Sequence, residues 1–211
     1  MEAEEKGDML ETIFKQNANV DILDSNGWSA LHHASHNGDI QSVTQLLEAG
    51  ANVNAFSNQF KTSLHLAALN NHHEIVGILL QAGASLEVQD ELKCNPLHLA
   101  CRKGSNECIE LLLRSGANIM AVDNRNWTPL HYAAYNGHAK AVNTLLKWEA
   151  DFDKLAGVKN SQGRTAFIIA KDDHVKKAFN HIWKSCRDGD LDMVRILVRE
   201  GEDPNLKTQN M

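Results

Sequence analysis

Apolar and polar positions in this chain recur as one unit every 33 residues. In residues 29–54, Leu31, Ala34 and Ser35 put a small, mostly apolar face on a short first helix. Ser29 precedes it as an N-cap, and Asn37-Gly38 ends it, since glycine accepts the left-handed conformation of a C-terminal cap. Ile40, Val43, Leu46 and Leu47 follow at i, i+3, i+6 and i+7, which predicts an amphipathic second helix. Gly50 stops that helix, and Ala51-Asn52-Val53-Asn54 leads into a polar turn. The pattern returns in Ile75, Val76, Leu79 and Leu80, in Cys108, Ile109, Leu112 and Leu113, and in Ala141, Val142, Leu145 and Leu146. The stops are Gly83, Gly116 and, imperfectly, Glu149. Ala18, Ala51, Ala84, Ala117 and Ala150 keep the same interval. One such unit cannot bury its own apolar face, so the units are expected to stack as a solenoid.

Each unit opens with a signature. It reads Ser29-Ala30-Leu31-His32-His33-Ala34, Thr62-Ser63-Leu64-His65-Leu66-Ala67, Asn95-Pro96-Leu97-His98-Leu99-Ala100 and Thr128-Pro129-Leu130-His131-Tyr132-Ala133. With the 33-residue period, these residues resemble the ankyrin repeat family. The resemblance implies an all-α solenoid of stacked helix-turn-helix units joined by hairpin loops. It also implies that the signature histidine bonds backbone groups of adjacent loops. Partner proteins would be bound by the hairpin tips and the inner, concave face of the first helices. The stretch from Leu47 to Asn54 also resembles sites of asparagine hydroxylation in some ankyrin repeats, although a turn-forming role for Asn54 needs no such modification.

Four full repeats are expected over residues 22–154, after a partial one in 1–21 that owns a second helix around Ile13 and Phe14. The fifth signature, Thr165-Ala166-Phe167-Ile168-Ile169-Ala170, arrives four residues late. The extra residues lie around Leu155 to Val158, where a loop insertion costs little. Residues 155–181 read as a degenerate capping repeat with no clean second-helix stripe. Residues 182–211 read as a further ankyrin-like repeat, the start of a second array, with Ile182–Cys186 as its first helix. The cut units at both ends make a piece of a longer protein the expectation.

The 21 Lys and Arg against 27 Asp and Glu give a net charge of −6, which argues against nucleic acid as the main ligand. Apolar runs such as Leu111 to Leu113 are too short for membrane insertion. Four cysteines in 211 residues and an acidic start without a signal peptide point to free thiols in the cytoplasm or nucleus. The expected chain is monomeric.

His32, His65, His98 and His131 stand one per repeat. Repeats about 10 Å apart cannot hold one ion with bonds of about 2 Å, so no metal site is read from them. Cys94, Cys101 and Cys108 fall on a loop and two different helices, without a Cys-x-x-Cys pair. No catalytic signature and no phosphate-binding glycine loop occurs, so neither an enzyme nor a cofactor is expected.

What remains are residues that the repeat itself does not need, at the tips and at the ends of the first helices. The partner-binding set is Trp28, Phe60, Leu92, Arg102, Arg125, Trp127 and Tyr135, most of it on one expected groove. Aromatic residues and arginines dominate interface energies. Trp28 and Trp127 have a second reading, as side chains packed over the neighbouring hairpin. Phe60 and Lys93 depart from the glycine that the family prefers there, as at Gly27 and Gly163, which sets ideal turn geometry against a specific role. The function expected is a scaffold or adaptor that binds a partner protein. The alternative is a targeting or regulatory module of a larger enzyme, kinase or channel.

Overall fold

Helices form here in short pairs because each signature carries its own start and stop. A computed structural model describes residues 19–148 and 152–187. By its contacts the chain divides into two compact units, Met1–Asn118 and Ile119–Met211. The first unit contains α1 (Ala30–Asn37), α2 (Ile40–Glu48), α3 (Ser63–Leu69), α4 (His73–Gln81), α5 (Pro96–Lys103) and α6 (Asn106–Arg114). The second contains α7 (Pro129–Tyr135), α8 (Ala139–Trp148), α9 (Phe152–Ala156) and α10 (Asp173–Arg187). The described residues include no strand, and none of their helices is long and apolar enough to cross a membrane.

Each first helix of a signature is started in the same way. The N–H of Ser29, at the N-cap of α1, donates to Nδ1 of His32, and Thr62 does the same to His65, both at 3.1 Å. Because Nδ1 accepts, the ring proton sits on Nε2. His32 Nε2 donates to the carbonyl of Lys61 at 3.0 Å, and His65 Nε2 to that of Cys94 at 3.1 Å. One imidazole therefore closes its own helix start and grips the next hairpin. In the second unit Thr128 N–H donates to His131 Nδ1, and His131 Nε2 to the Arg164 carbonyl, both at 3.2 Å.

The core of the first unit lies between the helix pairs. Leu31, Leu46, Leu64, Ile75, Leu79, Leu97, Ile109 and Leu112 are fully buried, each contributing about 2 kcal/mol. Ala51, Ala84 and Ala117 are buried where the chain leaves its second helix. The stripe expected on α2 is narrower than its periodicity suggests: Val43 and Leu46 are buried, whereas Ile40 is 40% exposed. Asp39 caps this helix by accepting the N–H of Ser42 at 3.0 Å.

The hairpins obey a second periodic rule, which the sequence reading missed. Asp24, Ser57, Asp90 and, in the second unit, Asp123 and Asn160 each accept N–H groups from residues i+2 and i+4. The residue at i+3 is held left-handed: Gly27 at φ +73°, Phe60 at +57°, Lys93 at +63°, Asn126 at +56° and Gly163 at +73°. The turn geometry is thus kept at Phe60 and Lys93 despite the missing glycine, at a steric cost. After the second helices, the side chains of Asp21, Asn54 and Glu87 accept the N–H groups of Asn52, Ser85 and Asn118. Asn54 also donates to the Gly83 carbonyl, so its side chain is a tie between repeats.

The second unit corrects three expectations. The extra residues around Leu155 are not a slack loop: Phe152–Ala156 forms a helical turn, and Leu155 is fully buried. The stretch Thr165–Ala170 makes turns rather than a helix, since Ile169 N–H reaches only the Thr165 carbonyl at 3.3 Å before the chain bends away. The capping segment does carry a stripe, because Val175, Ala178 and Phe179 are buried at i, i+3 and i+4 and α10 packs on α8. Phe179 meets Phe167 edge-on at 5.6 Å. The boundary drawn at residue 181 falls inside the continuous α10, which takes up Ile182–Cys186. The partial repeat around Ile13 and Phe14, the stop at Glu149, Ala18, Ala150 and the repeat sought in residues 188–211 lie outside the described residues.

Burial pushes the His65 imidazole from 6.5 down to about 4, and it lowers His32 as well. The folded state thus holds these rings neutral, while the unfolded chain takes up protons below about pH 6.5. Their stabilisation is full above that value and is lost as pH falls toward 4. His65 alone should remove about 3 kcal/mol over this range, read as a falling urea midpoint in a pH series. A midpoint that holds constant from pH 6.5 to 4 would contradict the buried neutral ring. A second expectation concerns the left-handed turns. Lys93→Gly should raise unfolding free energy by about 1 kcal/mol, and Phe60→Gly by less, because it also removes the ring contact with Phe56.

Candidate functional site

The seven expected contact residues divide between the two units. In the first, Trp28, Phe60 and Leu92 stand on three successive hairpins and Arg102 in the last turn of α5. In the second, Arg125, Trp127 and Tyr135 form one cluster.

Trp28 is half-buried. Its ring lies on the histidines of its own repeat, 4.9 Å from His33 and 5.3 Å from His36. His33 Nε2 is 3.0 Å from Asp24 Oδ2. The N–H of Trp28, above all, holds the Asp24 carboxyl below its usual range, with help from Asn26 N–H and His33. The helix ends beside it are tied together, for His36 Nδ1 pairs with Asn70 Nδ2 at 2.8 Å and His72 Nε2 donates to the His36 carbonyl at 3.0 Å.

Phe60 is 53% exposed and stacks at 5.8 Å on Phe56, itself 57% exposed. Phe56 was missed in the sequence, although it and Leu23 sit one period apart in otherwise polar turns, and both are exposed. Leu92 is 48% exposed and Arg102 is exposed.

The cluster of the second unit is built on a buried carboxylate. Asp123 has a fully buried side chain. Its Oδ1 accepts the N–H groups of Arg125 and Trp127, which shapes the hairpin. Its Oδ2 accepts the Tyr132 hydroxyl at 2.8 Å and lies 3.7 Å from Arg125 Nε. The Arg125 guanidinium in turn donates to the Tyr132 hydroxyl at 3.3 Å and lies 4.9 Å from the centre of the Trp127 ring. Tyr132 and Tyr135 both meet Trp127 edge-on at 5.2 Å. Tyr135 is 57% exposed, Trp127 half-buried and Tyr132 buried. Trp127 thus packs on the first helix of its own repeat and still keeps part of its surface at the water boundary. Asp123 and Tyr132 were not among the expected residues. Their signal was a tyrosine where the earlier repeats carry His33, Leu66 and Leu99, since a buried phenol needs a hydrogen-bond partner.

Three of the four thiols lie inside the protein. Cys94, Cys101 and Cys108 are buried and unbridged, and burial raises the Cys101 thiol strongly and pushes the Cys108 thiol up to about 12. Among the described residues no three His, Cys, Asp or Glu side chains come together as a metal-binding group.

The family described as ankyrin repeats (3 copies) matches residues 1–90 and 64–156, well over half of the chain. No curated protein matches the sequence. Ankyrin repeats are in general protein–protein interaction modules and typically non-catalytic. Paired helices, left-handed hairpin tips, the buried histidine bridge and this match lead to one conclusion: the chain belongs to the ankyrin repeat family, and its fold is the all-α repeat of that family.

Proposed function

We propose that this protein is an adaptor that holds a partner protein against its hairpin tips and first-helix ends. The observation that carries the reading is the cluster of Arg125, Trp127 and Tyr135. An arginine and two aromatic rings are held in fixed contact by a buried carboxylate, and the outer ring is 57% exposed. Such a group has already lost most of its rotamer freedom before a partner arrives, so little further entropy is lost on binding. Its side-chain types are those that supply most of the free energy in protein interfaces. Trp28, Phe60, Leu92 and Arg102 extend the contact surface within the first unit.

The test is a partner captured by affinity pull-down and then titrated against purified variants. Trp127→Ala and Tyr135→Ala should each weaken binding by about 2 kcal/mol, roughly thirtyfold in Kd. Circular dichroism and the urea midpoint report whether each variant remains folded. Undiminished affinity in both folded variants would overturn the reading.

A further inference from the structure

The charge of this chain is unevenly divided between its units. Residues 119–211 carry fourteen Lys or Arg against twelve Asp or Glu, eleven against six of them within 119–187, whereas residues 1–118 carry seven against fifteen. The overall value of −6 conceals a basic segment. That segment includes the aromatic cluster of Trp127 and Tyr135.

Three cations flank the cluster within the second unit. Arg125 is 55% exposed in its side chain and stacks on Trp127. Ser161 N–H donates to the Arg125 carbonyl at 2.9 Å, which sets the two hairpins side by side and brings Arg164, exposed, next to the repeat of Trp127. The Arg164 carbonyl accepts His131 Nε2, so its backbone position is fixed. Lys171, also exposed, is fixed at the end of α7 by its own N–H, which donates to the Ala134 carbonyl at 3.0 Å. Its aliphatic stem runs beside Gly137, two residues beyond Tyr135. Of the nearby carboxylates, Asp172 and Asp173 are exposed, and the Asp172 side chain lies beside that of Lys171 at Gly137. Asp123 is buried in its network, and Asp172 Oδ1 accepts the Val175 N–H at the start of α10.

We propose that this face of the second unit binds an acidic peptide segment of a partner protein. Carboxylates would pair with Arg125, Arg164 and Lys171, and one aromatic or large apolar side chain would lie on Tyr135 and the open part of Trp127. The proposal rests on the adaptor reading and names the chemistry of the partner. Charge complementarity selects the occupant: Arg125, Arg164 and Lys171 are exposed on the hairpins and helix end next to Trp127 and Tyr135, and a peptide can supply both carboxylates and an apolar anchor. Long nucleic acid fits less well. A duplex offers one charge per about 1.7 Å and no apolar side chain to lie on the rings.

The test uses the full chain and fluorescence anisotropy with a labelled peptide of about twelve residues, Glu alternating with Ser around one central Trp. Its Gln-for-Glu analogue and a labelled DNA duplex of about twenty base pairs serve as comparisons. The Glu peptide should bind, and binding should weaken as NaCl rises from about 50 to about 500 mM. The Gln analogue should bind at least about tenfold more weakly. Combining Arg164→Glu with Lys171→Glu should cost a similar factor, whereas Lys103→Glu with Arg114→Glu in the first unit should leave affinity unchanged. Because the Glu-to-Gln comparison alters only the peptide, it decides the matter even where a charge reversal perturbs folding. Absent binding, equal affinity for the two peptides, or tighter binding of the duplex at the same salt overturns the proposal. The adaptor reading stands separately. A captured partner lost on Trp127→Ala but kept on charge reversal would preserve the adaptor and remove the acidic segment.

Discussion

Neutral, buried imidazoles hold these repeats in register. In each repeat where the bridge is seen, Nδ1 of the signature histidine accepts the N-cap N–H and Nε2 donates to a carbonyl of the next hairpin. Neither bond alone is worth more than about 1 kcal/mol net. Their importance is geometric, because one rigid ring joins a helix start to a neighbouring loop that is otherwise tied mainly by backbone. A protonated ring would lose its acceptor, and the N-cap N–H would face a like charge inside the protein. The core leucines supply the driving force, but they are non-directional; the histidine bridge and the Asx-type hairpin bonds set the spacing.

That spacing explains how tip residues can vary. Within the first unit the Asn58 N–H donates to the Asn26 carbonyl and the Glu91 N–H to the Gln59 carbonyl. Hairpin contact thus has a main-chain part, to which Asn58 adds a side-chain bond from Nδ2 to the Ser25 carbonyl. The exposed Phe60 and Leu92 side chains vary on that frame. Phe60 and Lys93 even hold a backbone conformation that suits glycine better.

Much of this was legible in the sequence, because a period of 33 repeats its message. The paired helices, the terminator at Gly38 and the buried alanine column follow from residue type at fixed spacing, and the role of the histidines from the resemblance to the family. Ile40 was misplaced because periodicity assigns a residue to a face but does not say how far the neighbouring repeat extends over it. The insertion near Leu155 read as loop because a five-residue helix is too short to show a period. The continuous α10 was cut in two because Ile182–Cys186 read as the first helix of a new repeat, while the stripe of Val175, Ala178 and Phe179 is too short to stand out among charged neighbours. At the candidate site, single residues such as Trp127 and Tyr135 stood out, but their partners did not. Asp123 looks like any turn former until its second oxygen is found on a tyrosine hydroxyl.

The small helix α9 has a wider meaning. His32 and His65 each reach a carbonyl 29 residues ahead, whereas His131 reaches one 33 residues ahead and makes the same bond. Four added residues are absorbed by a helical turn that buries Leu155, and the hairpin at Asn160 resumes its ordinary bonding. The architecture therefore measures contacts and not chain length. New sequence inserted at such a junction becomes a raised ornament on an unchanged lattice, and this offers repeat proteins a route by which one scaffold acquires features that none of its other copies possess.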